Sequence, residues 1–160
     1  MASDIFAKIG DIKGESQDDK HKDEIDVMSY SWGVTQAGTI VGGGGGEGKA
    51  QFSDFSFTTT TSKASPALFL ACASGTHIKD ATIAVRKAGG KTPEDYLILK
   101  MTDVLISSYQ TGGSSGQDRP TESISMAFAK VEFSYRPQND KGQLEPAITV
   151  GWDLKANKKV

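Results

Sequence analysis

One segment of the chain approaches a known binding signature: Gly43-Gly44-Gly45-Gly46-Glu47-Gly48-Lys49. It matches the first seven positions of a phosphate-binding loop, where glycine amides cradle phosphates and the lysine reaches them. That chemistry also needs Ser or Thr next, to hold magnesium, and a helix whose N-terminus faces the phosphates. Position 50 is Ala, the stretch after it reads as strand, and Glu47 would set a negative charge beside the phosphates. A run of glycines satisfies any Gly-x-Gly pattern by chance, so nucleotide binding is not expected.

Nucleophilic or metal chemistry is equally hard to assemble. The histidines are His21 and His77, and the single cysteine is Cys72. His21 sits in Asp19-Lys20-His21-Lys22-Asp23, where a solvated side chain is expected. His77 follows Gly75-Thr76 and suits a structural hydrogen bond or a cap. Cys72 lies in an apolar stretch and reads as inert packing. There is no Gly-x-Ser-x-Gly, and two scattered histidines with one cysteine lack metal-ligand spacing. The sequence therefore predicts no enzyme, no catalytic residues, no cofactor and no metal.

The totals agree with a non-catalytic reading. The 160 residues suit one domain, 1–160, long enough to bury a real core. The net charge is −2 with the signs interspersed, so the field that collects nucleic acid is missing. Lys155, Lys158 and Lys159 read as a solvated tail. One cysteine cannot form an intrachain disulfide, which fits a reducing compartment. No signal-peptide pattern opens the chain, and no apolar run nears the ~20 residues that span a bilayer. Direct membrane insertion is not expected; if the protein leaves the cell, it leaves folded or by a specialised machine.

The elements follow from periodicity. Ile5, Ala7 and Ile9 alternate as a strand, and residues 13–24 read as a polar loop. A long strand is predicted over 25–36, with Met28, Tyr30, Trp32 and Val34 on one face. Residues 37–49 form a long Gly-rich loop, and 51–61 return to strand. The apolar phase changes between Phe52 and the pair Phe55/Phe57, which points to a β-bulge. A helix is predicted over 66–74, with Ser65 as N-cap, Pro66 at N1 and Gly75 at C′. It is apolar all round, so it should be buried, in part against a neighbouring subunit. Strands follow around Ala81–Ile83–Val85, over 96–109 and 121–135, and through Ile148, Val150, Trp152 and Leu154. The pattern is mainly β, a barrel or sandwich with one helix.

Two features stand out. Ser29, Ser31, Gly33 and Thr35 share one strand face, and Thr121, Ser123, Ser125 and Ala127 share another. Solvent faces usually carry Lys, Glu and Arg, whereas these are short and neutral. They are either solvent faces that happen to be short or a smooth wall past which something must fit. The second feature is the 37–49 loop. Ordering its glycines costs roughly 0.5–1 kcal/mol each relative to Ala, and Thr39, Ile40 and Val41 give it an apolar tip. It is either a loose connection or an arm that docks on a partner.

In order and length these residues resemble the haemolysin-coregulated protein family, Hcp, the tube protein of bacterial type VI secretion. The resemblance runs end to end through Gly14-Glu15-Ser16, Glu24-Ile25-Asp26-Val27, Ser31-Trp32-Gly33, Gly48-Lys49, Lys63-Ala64-Ser65-Pro66, Cys72, His77-Ile78 and Arg86-Lys87-Ala88-Gly89-Gly90. It continues through Ser107-Ser108, Asp118-Arg119, Phe128-Ala129 and Gly151-Trp152-Asp153. It implies a two-sheet β-barrel with one flanking α-helix. It implies a homohexameric ring whose copies stack into a tube, carry or chaperone secreted effector proteins in the lumen, and work with spike, sheath and baseplate components. The protein would be cytoplasmic before firing and then secreted.

By that resemblance Ser29, Ser31 and Gly33 should face the channel and contact effectors, with Thr121, Ser123 and Ser125 beside them. The stacking loop would be Thr39, Ile40, Val41, Gly42, Gly43 and Gly44. Leu68, Phe69 and Cys72 are candidates for the lateral interface. The competing reading is a lipocalin-like, ligand-carrying barrel, for which the neutral polar faces would be poor walls.

Overall fold

The computed structural model describes residues 3–38, 48–87 and 93–160. Eleven strands and one helix follow in order: β1 Ser3–Ile9, β2 Ile25–Val27, β3 Ser29–Ser31, β4 Val34–Gln36, β5 Ala50–Phe52, β6 Phe55–Thr60, α1 Ser65–Ser74, β7 His77–Lys87, β8 Asp95–Gly112, β9 Thr121–Tyr135, β10 Ile148–Asp153 and β11 Lys158–Lys159. The fold is mainly β with one helix, as the periodicity predicted.

A nine-stranded sheet runs β11-β10-β9-β8-β7-β1-β2, with β6 pairing the first half of β9 and β3 pairing β6. It curls until β2 and β6 meet. No ladder joins them. The Met28 N–H donates to the Thr58 carbonyl at 2.8 Å, and the Thr59 hydroxyl donates to the Asp26 carbonyl at 2.6 Å. The barrel is therefore stitched rather than fully closed.

Its interior is filled. Phe55, Phe57, Ile83, Leu99, Met101, Ile106, Ile124 and Met126 are all essentially inaccessible. On β8 the buried positions are first Leu99 and Met101, then Val104 and Ile106, so the inward phase flips across Asp103. Asp103 adopts φ 60°, a left-handed conformation that Asp tolerates better than most residues. Its carboxylate accepts from Lys155 at 3.1 Å and from His77 at 3.4 Å, and these partners, Lys155 first, hold it below the usual carboxylate range.

The predicted strand over 25–36 is three strands. Each changes partner: β2 pairs β1, β3 pairs β6 and β4 pairs β5. Met28 stands at the first switch and is 56% exposed, so it leaves the apolar face expected of it. The predicted strand over 51–61 is likewise two strands, β5 and β6, in different sheets, so the phase change at Phe52 comes from a strand break and not from a bulge within one strand. Ser31 pairs Ser56 and Val34 pairs Phe52, so two residues lie opposite three. The Gly33 N–H donates to the Ser53 hydroxyl at 2.8 Å and the Ser53 N–H to the Gly33 carbonyl at 2.9 Å, pinning the irregular step.

The helix forms where predicted and ends on Gly75 at φ 64°, a left-handed cap that closes N–H bonds onto Ala71 and Cys72. Its start differs. Ala64 is the N-cap residue and makes no side-chain cap, while the Ser65 hydroxyl accepts from the Ser62 amide instead. Lys158 and Lys159, read as tail, form β11 against Trp152 and Asp153.

Candidate functional site

The two small-residue stretches are parts of one surface. β6 lies between β3 and β9, and β8 continues on the far side. The register aligns Ser29 with Thr58, Ser123 and Gln110, and Ser31 with Ser56, Ser125 and Ser108. Thr60, Thr121 and Gly112 form a further row. Register-matched residues share a face, so these short neutral groups make one continuous patch across four strands.

Hydroxyls cross-link it. Ser29 bonds Thr58 at 2.6 Å and Ser56 bonds Ser125 at 2.9 Å. Such pairs satisfy their own polar groups without a fixed charge. The patch stays flush with the sheet because an extra residue, Ser107, is absorbed between Ile106 and Ser108, which returns the neutral phase to β8. Sequence reading found Ser29, Ser31, Thr121, Ser123 and Ser125 but missed Ser56, Thr58, Thr60, Ser108 and Gln110. The alternation in Phe55-Ser56-Phe57-Thr58 was the available signal; strand order was not. Gly33 sits at the end of β3, where the chain passes into the β4–β5 hairpin.

Charge lies directly behind the patch. Glu122 alternates to the opposite face of β9 and is buried. Its carboxylate accepts from the Tyr109 hydroxyl and, at 3.3 Å, from Thr61, while its second oxygen has no partner among the described residues. Burial, and then the bond to Glu122, push the Tyr109 phenol up.

Of the candidate lateral residues, only Phe69 is well exposed. Leu68 is fully buried in the chain's own core, which corrects its assignment to a direct contact. Cys72 is partly buried. Leu70, not singled out from the sequence, is 63% exposed beside Phe69 at 57%. The helix buries Leu68 and Ala71 and leaves the rest of its apolar girdle open. The stacking candidates Thr39, Ile40, Val41, Gly42, Gly43 and Gly44 lie outside the described residues.

The loop over 13–24 holds the second polar centre. His21, expected in solvent, is 7% exposed and stacked on Phe6 with ring centroids 4.3 Å apart. Its Nδ1 meets the Glu24 carboxylate at 3.0 Å and its Nε2 meets Asp95 at 2.9 Å. Arg86 lies over the Phe6 ring at 5.0 Å and grips Asp18 with both terminal nitrogens. That grip holds the Asp18 carboxyl below its usual range. No group of three His, Cys, Asp or Glu side chains suited to a metal occurs among the described residues. The cluster fastens a loop and leaves no free nucleophile.

The comparisons with known proteins agree with this architecture. Residues 6–135 match the family model described as type VI secretion system effector, Hcp. The chain is 46% identical to protein hcp1 of Pseudomonas aeruginosa over 159 residues, covering 98% of each. Among solved structures, a type six secretion system protein superposes with TM-score 0.92 at 35% identity, covering 99% of this chain and all of that one. Hcp1 from Salmonella typhimurium superposes with TM-score 0.82 at 39% identity over the full length of both. With a matching β-fold and more than half the chain inside the family model, this protein belongs to the Hcp family of type VI secretion.

Proposed function

We propose that the chain is a structural subunit of the secretion tube: six copies close into a ring, rings stack, and effectors ride in the channel. The observation that carries this reading is the continuous neutral face of β3, β6, β9 and the end of β8. A wall of short hydroxyls, already bonded to one another, offers cargo weak contacts and no fixed charge pattern. Ser29, Ser31, Thr121, Ser123 and Ser125 would line the lumen, with Gly33 at its rim. A lipocalin-like carrier needs an internal cavity, and the interior here is filled by Phe55, Phe57, Met101 and Met126.

A six-fold ring uses one heterologous contact repeated until it closes, so each interface need not be tight by itself. The apolar tip Thr39-Ile40-Val41 with Gly42, Gly43 and Gly44 would reach the next ring of the stack. Spike, sheath and baseplate would then act on the assembled tube, which is exported after assembly in the cytoplasm.

Native mass spectrometry at micromolar concentration tests the ring: a six-subunit species is expected, and a monomer at every concentration and salt would overturn the reading. Ser31→Glu tests the lumen. Rings should persist while co-purified effector falls at least ten-fold. Full effector retention on intact rings would remove Ser31 from the channel wall.

A further inference from the structure

The apolar side of the sheet continues past its own cover. On β8, β9 and β10 the register aligns Leu97, Tyr135 and Ile148, then Leu99, Phe133 and Val150, then Met101, Val131 and Trp152. Leu99, Met101 and Val131 are buried, whereas Ile148 is 62% and Val150 60% exposed. Trp32, Val34 and Phe52 stand opposite, and between the two sides runs an open, mainly apolar groove of about 520 Å³. Val34 is also more than half exposed, so the groove and its rim form one contiguous uncovered apolar patch, the kind of surface that is often functional.

The same chain carries a matching projection. Phe69 and Leu70 point away from the core on α1, and Phe69 packs its edge only on Tyr109 among the aromatic rings. The last turn of α1 has no basic residue facing its carbonyls, while Lys159 stands at the groove. A cation beside a helix C-terminus is favourable.

Sheet geometry brings the two together. β3, β6, β9 and β8 alternate in direction, each antiparallel to the next. Among the described residues β3 has no partner on its outer side, and β8 beyond Leu105 has none from β7. A second copy that continues the sheet, its β8 end beside this β3, would keep the antiparallel order and extend the neutral face. Tyr109 and Trp32 both lie behind that face. The neighbour's α1 would therefore arrive behind β3, where the groove opens. A specific interface buries about 800 Å² on each partner; the groove alone is too small for that, so the contact must also take in the β3 edge.

We propose that Phe69 and Leu70 of one copy seat in the groove walled by Trp32, Val34, Val150 and Trp152 of the next, which makes this helix-in-groove contact the lateral lock of the ring. The inference rests on the ring reading above and adds which surfaces meet.

The test is disulfide trapping of the full chain with Leu70→Cys and Val34→Cys together, on a Cys72→Ser background. Oxidation should give a covalent ladder reaching six chains on a non-reducing denaturing gel, and neither single cysteine variant should give it. Native mass spectrometry of the same sample, and of the unmodified protein, reports the ring independently. Six-subunit rings without a ladder would overturn the helix-in-groove pairing and leave the ring reading standing. A monomer for the unmodified protein would overturn both. As a second readout, Leu70→Asp should lower the hexamer fraction at least ten-fold with the thermal unfolding of the monomer unchanged; undiminished rings would also overturn the pairing.

Discussion

The 13–24 loop and the neutral face of the sheet are both polar, yet opposite chemistry holds them. The loop is fastened by the ion pair of Asp18 with Arg86 and by the hydrogen bonds of His21 to Glu24 and Asp95, with Phe6 stacked on the imidazole and under the guanidinium. The face carries only hydroxyls, an amide and backbone. Buried ion pairs are costly to desolvate and strongly orientation-dependent, so they define one position of a loop that lacks secondary structure. The sheet ladder already defines the face, so its side chains can vary without moving the backbone. Changes to the first region should therefore damage the fold, and changes to the second should leave it largely intact.

The largest effect expected is at Arg86. Arg86→Met leaves Asp18 and Asp4 facing a site that has lost its cation. The pair is only part-buried, and losing its charged hydrogen bonds costs about 3 kcal/mol. Urea unfolding should show a loss of that order. A loss under 1 kcal/mol would mean that the loop is held by packing on Phe6 and not by charge.

Next comes the charge behind the face. Tyr109→Phe removes one of the two donors on the Glu122 carboxylate. An under-satisfied buried acceptor costs about 1–3 kcal/mol, so denaturant melts should move by about 2 kcal/mol. Glu122→Leu in the same background should recover part of the loss, because it removes the under-satisfied acceptor itself. No recovery would mean that the cost does not come from the stranded acceptor.

Smaller again is Ser56→Ala. It removes the 2.9 Å bond to Ser125 on a partly buried stretch of the face, and a hydroxyl pair of this kind contributes about 1 kcal/mol. The fold should barely register it. A loss as large as that of Arg86→Met would erase the distinction between the two regions.

How much of this was legible follows the same division. The long alternations over 121–135 and 96–109 identify β9 and most of β8 because one side of each packs on the core. The helix is legible from Pro66 and Gly75. The neutral rows on β3 and β9 are legible singly, but their union is not, because it depends on β6 lying between them. The 25–36 segment misleads for a related reason. Its residues alternate well enough for one strand, while three different partners cut it at Met28 and Gly33.

His21 is the sharpest miss. A histidine among Asp and Lys looks solvated, and only the approach of Phe6 and Asp95, distant in sequence, buries it. Gly14 held a quiet hint. A Cβ there would stand 2.4 Å from the Glu24 carbonyl oxygen, so the loop closes tightly on itself.

Acid offers the finest test of the contrast. Asp18 is held below its ordinary value chiefly by the Arg86 hydrogen bond. A depressed carboxyl contributes its stabilisation above the unfolded-chain value and loses it as pH falls through the folded value. The loop contribution should thus be whole at neutral pH and vanish only below the ordinary carboxylate range. The rows of Ser and Thr have nothing to titrate there. In hydrogen exchange, the Gly14 and Ser16 amides, which bond the Asp23 and Glu24 carbonyls, should lose protection relative to their intrinsic rates on acidification before those of β6 and β9 do. Simultaneous loosening of loop and sheet would mean that the charged cluster supports the whole barrel and not the loop alone.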